Sequence, residues 1–196
     1  MTSPEGQRGT IGVLHPDSGN ITSICDALAR LDRPYRLMRE PDMDGIDQLL
    51  LPGQGRFGAV MRFLHRHGWV EVLRDWVAAD RPLLGICVGM QVLFASSEED
   101  EDPGLGIFPG RVELLRAPKR PMMGWVPIAW RQGDLPPGTA YFVNSFVVHE
   151  SEHAIATVTY GAPFAAAVAR GNTIAFQFHP EKSGAWGKEL LATCLI

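Results

Sequence analysis

Pro82-Leu83-Leu84-Gly85-Ile86-Cys87-Val88-Gly89-Met90-Gln91 opens as an apolar run and changes character at a cysteine with a glycine two residues away on each side. The run reads as a buried strand, and the segment after the cysteine has helical periodicity. That order predicts a sharp strand-to-helix turn, which lifts one side chain clear of the backbone where it can attack a substrate. A lone cysteine is by default a small buried hydrophobe; the glycines around Cys87 and a histidine far downstream argue for a reactive one. The histidine lies in Phe178-His179-Pro180-Glu181, where His179 and Glu181 stand at i, i+2 and are expected to share one face of an extended strand. A thiol needs a base to become a thiolate, and the base needs an acceptor to orient its ring. The chain supplies all three, in the order Cys87, His179, Glu181.

Outward from Cys87, strand and helix alternate. Thr10 to His15 reads as a short buried strand and Asp17-Ser18-Gly19-Asn20 as a capping turn. A helix is predicted over residues 21–31, with Ile21, Ile24, Cys25, Leu28 and Leu31 at helical spacing. Strands follow at 34–38 and 47–51, then the permissive loop Pro52-Gly53-Gln54-Gly55 and helices at about 57–65 and 70–79. This alternation predicts an α/β fold, an open and mostly parallel central sheet with helices on both faces. After Ser96 the texture changes. The acidic run Glu98 to Asp102 reads as mostly solvated, and β-rich segments follow at 111–115, 125–130, 141–148, 153–160, 164–170 and 173–178. They are expected to add antiparallel strands in the second half, and a helix from Ser183 to Leu191 follows them. In the last strand Ile174, Phe176 and Phe178 fall on one face; Ala175, Gln177, His179 and Glu181 fall on the other.

With 196 residues and no linker, repeat or low-complexity tract, residues 1–196 are read as a single domain, with 1–9 a disordered lead-in. A formal charge of −4 and the lack of a basic stripe argue against nucleic acid. Apolar stretches are short and interrupted, which argues against a membrane span. Three scattered cysteines, Cys25, Cys87 and Cys194, make neither a disulfide framework nor a zinc site, and they point to a reducing cytoplasm. His15, His65, His67, His149 and His153 have no second ligand at metal spacing. Gly12 and Gly19 do not have dinucleotide-fingerprint spacing, and there is no P-loop. No cofactor and no metal are expected.

Ligands of open α/β sheets gather at the carboxyl ends of the strands, where both Cys87 and His179 would lie. A thiolate at a helix start gains from unpaired amides there, and the same amides can hold an oxyanion. Gly53-Gln54-Gly55 offers a further backbone N–H. A Cys-His-Glu set performs acyl transfer on a carboxamide or ester, and the residues alone leave the acyl donor open.

Beyond the elbow and His179-Pro180-Glu181, the chain carries Leu51-Pro52-Gly53-Gln54-Gly55, Met123-Gly124-Trp125, Tyr141-Phe142-Val143, Tyr160-Gly161-Ala162-Pro163-Phe164 and Gln177 to Gly184. In these motifs, nearly end to end, it resembles the class I, triad-type glutamine amidotransferases. More narrowly it resembles the family of glutaminase subunits of imidazole glycerol phosphate synthase. The resemblance implies Cys87 as nucleophile, His179 as base and general acid, and Glu181 as the group orienting the imidazole. It implies glutamine as substrate, with Gly53, Gly55, Gln91, Glu99, Asn144 and Ser145 around it, Glu99 facing the α-amine. It also implies a heterodimer with a TIM-barrel cyclase subunit that Asn20, Trp125 and Lys182 would face, and to which ammonia passes in histidine biosynthesis.

The chain departs from that family's usual pattern at Gln54, Met122, Val126, Asn144-Ser145-Phe146 and His15-Pro16-Asp17. None touches the triad. Two other readings stay open: a paralogous glutaminase that feeds ammonia to a different synthase, and a non-catalytic binding subunit that keeps the fold.

Overall fold

The computed structural model describes residues 9–16, 21–131 and 135–196. The predicted turn at 17–20, with Asn20, lies outside the described residues, as does most of the expected lead-in. The elements, in chain order, are β1 (Ile11–Leu14), α1 (Thr22–Arg30), β2 (Tyr35–Met38), β3 (Gln48–Leu51), α2 (Phe57–Arg66), α3 (Trp69–Ala78) and β4 (Leu83–Ile86). After Cys87 come α4 (Val88–Gln91), β5 (Phe94–Ser97), β6 (Phe108–Leu114), β7 (Met122–Pro127), β8 (Ala129–Trp130), β9 (Thr139–Asn144) and β10 (Phe146–Val147). The chain then adds β11 (Ala154–Tyr160), β12 (Ala162–Arg170), β13 (Thr173–Phe176), a 3-10 turn (Pro180–Lys182) and α5 (Gly184–Cys194).

Among the described residues the main sheet runs in the order β2-β1-β3-β4-β13-β12-β11-β8. Strands β2, β1, β3, β4 and β13 pair in parallel, and β12, β11 and β8 continue antiparallel. The parallel strands β1, β3 and β4 are buried at every position, because helices cover both of their faces. The order supplies those helices: β1 to β2 steps one way and β3 to β4 the other. Right-handed crossovers therefore set α1 on one face and the α2–α3 pair on the opposite one. In β11 the apolar Ala154, Ala156 and Val158 are buried while the residues between them are half-exposed, the alternation of a strand with one covered face.

The second half departs from expectation in detail. Only β8, β11 and β12 join the main sheet; β10-β6-β5 and β7-β9 form two smaller sheets. The expected strand at 125–130 divides after Pro127, which has no N–H for a ladder. The strand expected at 141–148 divides at Ser145. The helix after Cys87 is a single turn, because Phe94 is taken by parallel pairing with Phe108. The last strand stops at Phe176, so Glu181 sits on the 3-10 turn and not on an extended strand. Pro180 fits the first position of that turn, where a missing N–H costs nothing.

Candidate active site

Four chain segments end at one cavity of about 340 Å³: the loop after β3, the elbow after β4, the β9–β10 junction and the segment after β13. It is lined by Cys87, His179, Gln91, Glu99, Asn144 and Ser145, with Gln54, Gly55 and Lys182 at the border. Cys87 has φ 55° and ψ −112°, a conformation that costs a side-chain-bearing residue about 1–3 kcal/mol. Its backbone N–H donates to the Phe176 carbonyl at 2.7 Å, which ties the elbow to β13. The turn is tight because glycines allow it: a Cβ at Gly89 would overlap the Leu51 carbonyl, and one at Gly53 would overlap the Gly89 backbone. Gly53 is therefore packed behind the elbow, while Gln54 and Gly55 border the cavity.

His179 is buried, with Nδ1 at 2.7 Å from Oε1 of Glu181, whose side chain is 1% exposed. A carboxylate only accepts, so Nδ1 carries the hydrogen and the other ring nitrogen is left for Cys87. Burial pulls the imidazole pKa down, but hydrogen bonding to Cys87 and Glu181 and their negative charge outweigh it, raising it from 6.5 to about 10. The imidazolium form of His179 therefore persists at neutral pH. Cys194 differs: burial alone pushes its thiol up to about 12.

The backbone of His179 is held as firmly as its ring. Its N–H donates to the Tyr141 carbonyl (3.0 Å), the Tyr141 N–H donates to Ser183 Oγ (2.9 Å), and that hydroxyl donates to the His179 carbonyl (2.6 Å). Phe178 stacks on Phe176 with ring centroids 4.9 Å apart and packs edge-on against Phe142. Each such aromatic pair adds about 0.5–1.5 kcal/mol.

The acidic run is less solvated than its composition implies. Glu99 Oε2 accepts the Phe57 N–H at 2.8 Å, and Asp100 accepts the Gly58 N–H at 3.0 Å. Two carboxylates thus satisfy orphan amides at the start of α2, where the helix dipole favours negative charge. Asp102 pairs with Arg62 at 2.6 Å. Glu99 does this while facing the cavity. Sequence reading passed over Gln177, which is fully buried with its amide between Gln91 and the Cys87 sulfur. Its place on the polar face of the last segment, beside His179, was the available signal. Trp125 is 55% exposed and meets Tyr141 edge-on. Among the described residues no group of three or more His, Cys, Asp or Glu is arranged to hold a metal. Among them, too, no helix is long and apolar enough to cross a membrane.

A mixed α/β sheet with a cysteine elbow facing a buried His-Glu pair defines a thiol acyl-transfer architecture. The family model for class-I glutamine amidotransferases matches residues 15–196, and the chain belongs to that family. Within it the chain is similar to proteins named imidazole glycerol phosphate synthase subunit HisH. That of Synechococcus sp. (strain JA-3-3Ab) is 40% identical over 195 residues, covering 92% of this chain and 90% of the relative. That of Acaryochloris marina is 38% identical over 196 residues, covering 93% and 92%. A solved glutamine amidotransferase superposes with a TM-score of 0.79 at 22% identity, covering 95% of this chain and 97% of that one. PurLQS from Thermotoga maritima superposes with a TM-score of 0.76 at 16% identity, covering 96% and 98%. These two likenesses speak to the fold.

Proposed function

We propose that the chain is a single-domain glutaminase that hydrolyses glutamine to glutamate and passes the ammonia to a cyclase partner in histidine biosynthesis. The observation that carries this is buried Cys87 and His179, with His179 bonded to the Glu181 carboxylate, at a cavity of amide and carboxylate groups, in a class-I amidotransferase chain. The 2.7 Å contact between His179 and Glu181 fixes the imidazole for both proton transfers.

The Cys87 thiolate attacks the carboxamide carbon of glutamine. The resulting oxyanion is held by backbone N–H groups; that of Val88, first in α4, has no intrahelical acceptor. His179 gives its proton to the amide nitrogen, ammonia departs, and a thioester to Cys87 remains. His179 then takes a proton from water as the hydroxide adds to the thioester carbon. Collapse releases glutamate and restores the thiolate–imidazolium pair. Glu99 offers a carboxylate to the substrate ammonium, and Asn144, Ser145, Gly55 and Gln91 line the remaining wall.

The cyclase is proposed to be a TIM barrel seated over exposed Trp125 and Met123 on β7 and over Lys182 at the cavity border. The resemblance also assigns Asn20, outside the described residues, to cyclase contact. A cytoplasmic location is part of this proposal, supported by three free cysteines.

A second reading, a paralogue serving another synthase, is favoured by one observation. Met122 and Asn144, two departures from the usual pattern, are direct cross-strand partners. Glutamate release should be measured with wild-type protein and Cys87→Ser, alone and with an imidazole glycerol phosphate synthase cyclase and its ribotide. Release that rises with the liganded cyclase and vanishes in Cys87→Ser supports the proposal. Hydrolysis indifferent to the cyclase favours the paralogue, and wild-type release from Cys87→Ser sinks the nucleophile assignment.

A further inference from the structure

Gln177 sits between two core phenylalanines and is itself fully buried. An amide in such a place is costly unless every polar atom is bonded, and a leucine or methionine would fill the same space without that cost. Its bonds point at the nucleophile. Gln177 Oε1 accepts from Gln91 Nε2 at 3.1 Å, and Gln177 Nε2 approaches Cys87 Sγ at 3.9 Å, at the long end for a bond to sulfur.

The orientation is dictated rather than free. Gln91 Nε2 also donates to the Phe146 carbonyl at 2.9 Å. A carbonyl only accepts, so Gln91 must turn its nitrogen there, and its second hydrogen then needs an acceptor. That acceptor is Gln177 Oε1, which leaves Gln177 no choice but to present N–H to the sulfur. A hydrogen bond donated to the charged form of a group favours that form.

We infer that Gln177 is a fixed N–H donor that holds the Cys87 thiolate, aimed by Gln91 and the Phe146 carbonyl. This rests on the reading of Cys87 as nucleophile and deepens it. Both Gln91 hydrogens are spent on the relay, so Gln91 meets a substrate through its oxygen alone. The titratable groups around the sulfur are His179 from the segment after β13, with Glu181 behind it, and Glu99 and Lys182 across the cavity. Gln177 adds a donor whose charge state does not change with pH.

The test is alkylation of Cys87 by iodoacetamide as a function of pH, read by peptide mass spectrometry on the intact chain. It compares wild type, Gln177→Met, which keeps length without a donor, and Gln177→Glu, which puts an acceptor there. Removing the donor is expected to move the alkylation midpoint up by about one pH unit. With the cyclase present, kcat should fall about tenfold while KM for glutamine stays within about twofold. Should either variant fail to fold, the wild type still decides: the Gln177 side-chain amide protons should shift over the pH range of Cys87 alkylation, and not in Cys87→Ser. A profile in Gln177→Met that superimposes on wild type, or an amide resonance blind to the titration, overturns the inference. Wild-type Cys87 no more reactive than Cys25 or Cys194 overturns the nucleophile reading and this inference with it. That result is distinct from a reactive Cys87 that ignores Gln177.

Discussion

Gly53 and Gly89 lie back to back, the loop after β3 pressed against the first turn after Cys87 with no room for a Cβ on either. What Gly89 would strike is backbone, the Leu51 carbonyl, which cannot swing aside as a side chain would. Gly89→Ala is therefore expected to cost about 3 kcal/mol or more, at the upper end for overpacking. A melting temperature lower by at least about 5 °C, measured by calorimetry, is the corresponding shift. An unchanged melt would mean that the two loops separate easily.

Glu181→Gln removes the charge that helps hold the His179 proton, and the imidazole pKa should fall from about 10 toward its ordinary 6.5. NMR titration of the ring reads this directly, and glutamate release should drop by about 10²–10⁴-fold. The stability linkage has a definite sign. A base with a raised folded pKa contributes stability in full below 6.5, and that contribution is lost as pH climbs through about 10. The wild type should lose more stability than Glu181→Gln between those limits, as measured by denaturant midpoints.

Asn144 is buried, yet its Oδ1 has no partner and its Nδ2 makes only a 3.3 Å bond to the Phe146 carbonyl. Truncation to alanine gives up little, so Asn144→Ala should melt within about 1 kcal/mol of wild type. If the amide grips glutamine, KM should rise about tenfold, the cost of one lost hydrogen bond. Steady-state kinetics with an unchanged KM would remove Asn144 from the substrate wall.

Trp125→Ala deletes an exposed ring and should leave the isolated chain's melting temperature within about 2 °C. Against a cyclase subunit, calorimetric titration should show affinity reduced about 30-fold, the loss of one aromatic anchor worth about 2 kcal/mol. Lys182→Ala should chiefly reduce the stimulation of glutamate release by the cyclase. Full stimulation in that variant would take Lys182 out of the coupling.

Much of this was legible in the chain because local chemistry and global fold agree around Cys87. Glycines, an apolar run and a downstream His-Pro-Glu carry their own geometric signatures. Glu181 was misplaced because the apolar alternation runs on to Phe178 and masks the turn that Pro180 begins. The partnership of Met122 with Asn144 depends on the register of β7 against β9, which no local pattern encodes. Gln177 showed in the sequence only as a polar residue beside His179, and its contacts were hidden for a similar reason. Its orientation is set by Gln91, 86 positions away in the chain. The Glu99 and Asp100 contacts with α2 were hidden because an acidic run carries no mark of which backbone amides it will meet.

The ring of bonds linking His179, Tyr141 and Ser183 gives β9 a second office. The ribbon that shows Trp125 and Met123 outward also holds the histidine's main chain by its inner edge, with no slack residue between. One two-stranded ribbon thus carries an exposed aromatic face along β7 and, through Tyr141 on β9, anchors the main chain of His179. A change in the set of that ribbon cannot leave the His179 backbone bonds as they are.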